Sequence, residues 1–339
     1  MKKKLFLLTA LPLLMGSLVG CGGSGDTLKV GILQYAPAEA LDIARSSFKE
    51  ALLNSPLIKG VKNIEFIERF SMAKDVDDVN YAKSLVTNCD LMLGIATPSA
   101  IHLKNERDEA GKNTPLLFTA VTDPVDANLV ASYPHQGGNV TGTSDDNPVE
   151  SQIQLIKRCM PDKAASEIKL GIFYTSSESN SAVQARRAKA AAIGEGLLEA
   201  NIFNEPCTSI TDLEAKCTSL ANKVDVMFIP TDNLCASNMP IIKPILENAH
   251  VLCIVGEEGM LNGGHITLSV SYSYLGKRVG EMAAEILSGS KKIQDIDVEK
   301  SLNPDDWNKV YSSANINAAN LGYTIPSEVL ADFTDVSKK

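Results

Sequence analysis

The sequence predicts an α/β protein built as two similar open parallel-sheet lobes with a cleft between them. Two observations carry that expectation. The stretch Val224-Asp225-Val226-Met227-Phe228-Ile229-Pro230-Thr231-Asp232-Asn233 reads as a buried strand that stops at a proline and delivers a hydroxyl, a carboxylate and an amide into a loop. The same pattern occurs 135 residues earlier, where Asp90-Leu91-Met92-Leu93-Gly94-Ile95-Ala96-Thr97-Pro98-Ser99 runs from an acid through an apolar core to Thr and Ser. That spacing recurs between Leu117-Phe118-Thr119-Ala120-Val121-Thr122-Asp123 and Leu252-Cys253-Ile254-Val255-Gly256-Glu257-Glu258, and Val30-Gly31-Ile32-Leu33 matches Leu170-Gly171-Ile172-Phe173 at 140 residues. Open α/β sheets bind ligands beyond the carboxyl ends of their strands, so two facing copies would gather all these loops in one cleft.

The elements follow in order. Residues 28–33 form the first strand and 38–53 an amphipathic helix with Leu41, Ala44, Phe48, Ala51 and Leu52 on one face. Residues 64–70 alternate as a strand, 76–86 are helical and 91–95 are the third strand. Thr97 stands where a cap belongs and Pro98 at the first helical position, which writes a helix start whose free N–H groups suit a carboxylate. A fourth strand, 116–121, ends in Thr122-Asp123-Pro124. Residues 133–148, rich in Gly, Asn, Asp and Pro, are expected to cross into the second unit.

In the second unit a helix over 149–159 leads to strand 168–174 and the polar cluster Thr175-Ser176-Ser177-Glu178-Ser179-Asn180-Ser181, which opens helix 182–198. Strands 224–229 and 251–255 deliver Asp232 and Glu257-Glu258; Asp232 is the foremost candidate for an ammonium partner, with turn chemistry as the bland alternative. After strand 266–270, a helix over 272–287 returns to the first unit, and the tail 303–330 crosses once more. This assigns residues 27–144 and about 272–308 to one lobe, and 145–271 and about 309–333 to the other. Trp307 is expected in a surface loop or as a packing anchor.

The composition narrows the function. With 44% apolar and 22% charged residues, both copies can build a core. The net charge of −9, with no basic cluster past the extreme N-terminus, argues against nucleic acid as a partner. Lys2-Lys3-Lys4 followed by a short apolar run reads as an export signal over residues 1–20. Leu18-Val19-Gly20-Cys21 resembles a bacterial lipoprotein box, which would make Cys21 the lipidated first mature residue and 21–26 a glycine-rich tether, anchoring the domain without spanning the membrane. Cys89, Cys159, Cys207, Cys217, Cys235 and Cys253 contain no Cys-x-x-Cys; buried thiols are favoured over a disulfide framework, with Cys207 and Cys217 the first pair to test. The four histidines have no metal-ligand spacing and there is no Gly-x-Ser-x-Gly elbow, so neither a metal, a cofactor nor a hydrolytic site is expected.

Ala96-Thr97-Pro98-Ser99-Ala100, Phe118-Thr119-Ala120-Val121-Thr122-Asp123-Pro124-Val125, Gly138-Asn139-Val140-Thr141-Gly142, Pro230-Thr231-Asp232-Asn233, Gly256-Glu257-Glu258-Gly259-Met260 and Leu321-Gly322-Tyr323-Thr324-Ile325-Pro326 resemble, as an ordered set, the solute-binding proteins of ABC importers of the tryptophan, tyrosine and phenylalanine branch. The resemblance implies the periplasmic-binding-protein type I fold, with two lobes joined by three crossings that close on a zwitterionic amino acid, and a membrane permease as partner of a monomeric receptor. It also implies ligand contacts from Thr97, Ser99, Thr122 and Asp123 of the first lobe and Ser177, Asn180, Ser181, Asp232 and Glu257 of the second, with Tyr35 and Tyr174 as candidates to stack on a ring. The loop Ala36-Pro37-Ala38-Glu39-Ala40 lacks the histidine-proline pair of aromatic amino-acid binders, so a nucleoside, sugar or other metabolite stays open as the ligand, as does a sensor role in place of transport. An exported hydrolase using Asp232 or Glu257 is the remaining alternative.

Overall fold

The computed structural model describes residues 27–338 apart from 61–62, 135–137, 302, 304 and 306; the expected signal, Cys21 and the tether lie outside the described residues. The chain opens with β1 (Thr27–Gln34), α1 (Glu39–Asn54), β2 (Asn63–Phe70), α2 (Asp75–Asn88), β3 (Leu91–Ile95), α3 (Thr97–Glu109), β4 (Leu116–Val121) and β5 (Val140–Ser144). The strands lie parallel in the order β5-β4-β3-β1-β2. The second unit repeats the winding with α4 (Val149–Cys159), β6 (Leu170–Thr175), α5 (Ser179–Gly194), β7 (Ile202–Cys207), α6 (Ile210–Ala221), β8 (Val226–Ile229), α7 (Asn233–Ser237), α8 (Met239–Ala249), β9 (Leu252–Val255) and β10 (Ile266–Ser269), ordered β10-β9-β8-β6-β7. The duplication legible in the sequence is therefore a duplication of topology.

The chain then returns to the first lobe through α9 (Tyr272–Ser288) and β11 (Glu299–Lys300), which pairs with β5. It ends in the second lobe with β12 (Asn308–Tyr311), antiparallel to β10, then α10 (Ser313–Ala319), α11 (Ser327–Leu330) and β13 (Thr334–Asp335). The three passages between sheets are residues 145–148, 270–271 and 301–307.

Two helices show why the first lobe packs as it does. The face of α1 carrying Leu41, Ala44, Phe48 and Leu52 is buried, each large side chain contributing about 1.5–3 kcal/mol. Against it lies α9, where a Cβ on Gly276 would sit 2.2 Å from the Ala44 carbonyl oxygen and one on Gly280 would sit 2.6 Å from that of Phe48. Only glycine permits backbones this close. Trp307, in the third passage, packs against the cores of both lobes and donates its Nε1–H to the Ser301 carbonyl at 3.3 Å. It is a packing anchor.

Three sequence expectations change. Residues 140–144, expected within an irregular crossing, form the fully buried β5. The helix expected from residue 182 starts at Ser179, so the polar cluster forms its first turn instead of preceding it. Strand β7 and helices α6, α7 and α8 were not anticipated. All six described cysteines are free, five buried and Cys89 half-buried. Cys207 and Cys217, the first pair to test for a disulfide, are both free thiols, and Cys207 Sγ lies 3.6 Å from Thr175 Oγ1.

Candidate functional site

The parallel strands β1–β5 and β6–β10 point their carboxyl ends at the seam between the lobes. There α3 and α5 begin, facing each other. The residue preceding α3 is Ala96, held at φ +79°, and it has no side chain able to cap the helix. A non-glycine residue in this region stores about 1–3 kcal/mol of strain. The residue preceding α5 is Glu178, which also makes no side-chain cap to its own helix. Two helix N-termini, with their orphan N–H groups and positive dipole ends, are thus left uncapped at one place.

Between them the lobes meet in a crevice too tight for a water molecule, ringed by Thr97, Asp123 and Asp126 of the first lobe and Ser179, Asn180 and Val183 of the second. Thr97 Oγ1 and Asn180 Oδ1 are buried there without a hydrogen-bond partner, while the Asn180 amide donates to the Thr231 carbonyl at 3.0 Å. Buried polar atoms are almost always paired, and here two unpaired ones, one from each lobe, lie at the same crevice. Asp123 accepts from the Val125 and Asp126 N–H groups through Oδ1, at 3.0 and 3.1 Å, and its Oδ2 has no partner among the described residues. The gap therefore offers N–H donors beside oxygen acceptors.

Of the sequence candidates, Thr97, Asp123 and Asn180 meet at this gap. Thr122 lies nearby in a bridging role: a register shift in β4 between Phe118 and Val121, with Ala120 at φ +56°, precedes it. Its hydroxyl donates to Asp145 Oδ1 at 3.0 Å and accepts from Gln184 Nε2 of the second lobe at 3.4 Å.

The other candidates have different work. Asp232 is 1% exposed and accepts four hydrogen bonds, from the Thr175 amide (2.6 Å), Thr175 Oγ1 (2.9 Å), Ser181 Oγ (2.5 Å) and the Cys235 amide (2.8 Å). It is the cap of α7 and a clasp between β6, α5 and α7, with no oxygen left over for an ammonium group. Ser181 is its partner in that clasp. Ser99 likewise donates to buried Asp78 at 2.8 Å; Asp78 also holds His102 Nδ1 at 2.8 Å, and that hydrogen bond raises the imidazole pKa. Ser177 is exposed at the turn before α5. Tyr35 is buried in the first-lobe core and its hydroxyl donates to Asp75 at 2.9 Å; burial, then Asp75 and the facing Glu178, push its phenol pKa up. Tyr174 packs on the second-lobe core.

Glu257 is placed apart from the gap, in a cavity of about 90 Å³ at the passages between lobes. Its Oε2 accepts from the Gly259 amide at 2.6 Å, and burial pushes its pKa up to about 8. Close by, Asp145 accepts from Tyr272 Oη at 2.7 Å and from Thr122, and burial pushes it up to about 6.

Sequence reasoning missed Glu178, Gln184, Asn147, Asp145 and Tyr272. Glu178 is 4% exposed and accepts from the Asn233 and Leu234 amides at 3.0 Å each, stapling the start of α5 to that of α7; burial and then the neighbouring Asp232 charge raise its pKa. Asn147 ties the first passage to the second, accepting from the Val270 amide and donating to Thr231 Oγ1, both at 2.9 Å. A signal did exist for Asp145 and Asn147: both lie in the polar stretch read as a crossing, where only loop chemistry was assigned.

The family profile described as ABC transporter substrate binding protein matches residues 29–336. The chain belongs to that family. Its members bind a small-molecule ligand outside the cytoplasm and work with an ABC permease. Among relatives, the tyrosine-binding protein of Clostridioides difficile (strain R20291) is 33% identical over 275 residues, covering 79% of this chain and 75% of that one. A conserved domain protein from Vibrio cholerae superposes with a TM-score of 0.82 at 29% identity, covering 91% of this chain and 99% of that one. An ABC domain from Streptococcus pneumoniae in complex with L-Trp gives 0.77 at 30% identity, covering 90% and 99%. The ligand-free, open structure of a Clostridium difficile substrate binding protein gives only 0.66 at 32% identity, covering 92% and 100%. In this chain the lobes touch across the seam, where Gln184 Nε2 of the second reaches Thr122 Oγ1 of the first at 3.4 Å. No helix among the described residues is long and apolar enough to cross a membrane.

Proposed function

We propose that this chain is a receptor for an α-amino acid with an aromatic side chain, held between the lobes by its zwitterionic end. The carboxylate meets the uncapped N-termini of α3 and α5 and the Thr97 hydroxyl; the ammonium meets Asp123 Oδ2 and Asn180 Oδ1. Charge-assisted hydrogen bonds of this kind contribute about 1.5–3 kcal/mol each. The observation that carries the reading is the pair of unpartnered buried atoms, Thr97 Oγ1 and Asn180 Oδ1, brought together from opposite lobes at two uncapped helix starts. A ligand bridging both lobes shifts the open and closed populations towards closed. The tyrosine-binding relative and the L-Trp complex support an aromatic side chain.

The receptor does no chemistry on its ligand. It is a monomer, carried by a lipid on Cys21 after removal of residues 1–20, tethered by 21–26, with lobes formed by 27–144 and about 272–308 and by 145–271 and about 309–333. The test is calorimetry and thermal shift with L-tyrosine, L-tryptophan and L-phenylalanine against their des-amino and amide analogues, on protein shown by native mass spectrometry to carry no retained ligand. Saturation at a hundred times Kd should stabilise by about 2.7 kcal/mol, and Asp123→Asn should weaken binding at least about tenfold, roughly 1.4 kcal/mol. Failure of every amino acid, with a shift by a nucleoside or sugar, would replace the ligand class. Membrane release on Cys21→Ser tests the anchor.

A further inference from the structure

Glu257 of the second lobe sits where closure covers it with the first lobe. Its cavity is walled by Ala40 and Ile43 of α1 as well as by Tyr272, Ser273 and Asn308 from the passages. A Cβ on Gly259, two residues on, would lie 3.2 Å from the Ala40 amide nitrogen. The carboxylate is 2% exposed, and its one hydrogen bond comes from the Gly259 amide. The titratable groups facing it are all acidic: Glu39 from α1, Glu258 from its own turn, Asp145 from the first passage and the Tyr272 phenol from the start of α9. Lys, Arg and His contribute no ion pair to it among the described residues.

We propose that shutting the lobes loads a proton onto Glu257, so that ligand capture is accompanied by proton uptake and weakens as the medium becomes alkaline. The inference rests on the lobe-closing reading above. In the open form the first-lobe wall withdraws, water returns to the carboxylate, and it ionises in the ordinary range; in the closed form it is buried among acids with no counter-charge, which favours the neutral form. Its pKa of about 8 in this closed arrangement agrees. The sign follows from linkage: the closed state binds more protons than the open state between the two values, so acid favours closure. At pH 7 closure takes up nearly one proton, and affinity falls by up to about tenfold per pH unit between about pH 5 and pH 8.

The device differs from an ammonium contact at Glu257, which would strip the proton off and strengthen binding with rising pH. Calorimetry with L-tyrosine or L-tryptophan at pH 7, in two buffers of different ionisation enthalpy, separates them. Uptake of nearly one proton, lost in Glu257→Gln, is expected; proton release, or no exchange alongside tight binding, overturns the proposal. Glutamine can still accept the Gly259 amide, so the variant keeps its turn, and a melting curve checks that it folds. A second arm needs no ligand: a fluorescence energy-transfer pair, one dye on each lobe, should report a more closed unliganded population at pH 5.5 than at pH 8.5, with the dependence absent in Glu257→Gln. A pH-independent distance in the wild type overturns the proposal. If neither amino acid binds while the distance follows pH, the assignment of the ligand fails and this one stands.

Discussion

Replacing Asp232 by alanine should damage the protein before it damages binding. The substitution removes the acceptor of four donors in the second lobe. The Thr175 and Ser181 hydroxyls can rotate, and Thr175 Oγ1 already lies 3.6 Å from Cys207 Sγ. The Thr175 and Cys235 amides cannot, and each stranded buried donor costs about 1–3 kcal/mol. Relief of the repulsion between Asp232 and Glu178, two buried acids with no cation between them, offsets part of this. The net loss is about 3 kcal/mol, which for a chain of this size lowers the melting temperature by about 6–10 °C. Differential scanning calorimetry of the unliganded receptor reads it directly, and Asp232→Asn, which keeps one oxygen, should recover roughly half. A variant melting within about 1 °C of wild type yet unable to bind an amino acid would refute the clasp and return Asp232 to the ligand.

Thr97→Val should show the opposite balance: removing an unpartnered hydroxyl leaves the unliganded melting temperature unchanged or slightly higher, while the dissociation constant rises about tenfold by calorimetry. Gly276→Ala forces a methyl group to 2.2 Å from the Ala44 carbonyl and should destabilise the first lobe by about 1–3 kcal/mol, read by denaturant melts. The liganded receptor should lose stability as pH rises from about 5 to about 8. Glu257 at about 8 and Asp145 at about 6 are both raised above the ordinary carboxylate range, so the folded form binds more protons than the unfolded one in that window; melts of Glu257→Gln should show a shallower slope.

How far the sequence could be read depends on the range over which each signal acts. Strand β3 matched to the residue, because an unbroken apolar run between Asp90 and Ala96 is a local pattern. The same reasoning passed over β5, whose Val-Thr-Gly-Thr-Ser has one large apolar residue; its burial comes from β4 on one side and β11 on the other. Thr97, Asp123 and Asn180 were legible as residues at the ends of strands and the starts of helices. What Asp232 and Ser99 do was not, because their partners Thr175 and Asp78 lie 57 and 21 residues away and nothing in a loop announces who will donate to it. Glu178 was hidden for a related reason: it stands among serines that look like a helix cap and spends its carboxylate on another helix.

The third passage carries one further consequence. Trp307 is the single tryptophan of the chain and touches the cores of both lobes at once. Its indole is thus a native optical reporter between the lobes: hinge motion changes the surroundings of one fluorophore, and no second indole of the chain competes when the ligand is tyrosine or phenylalanine. Opening and closing can be followed in unlabelled protein, in real time, by the colour and intensity of that one emission.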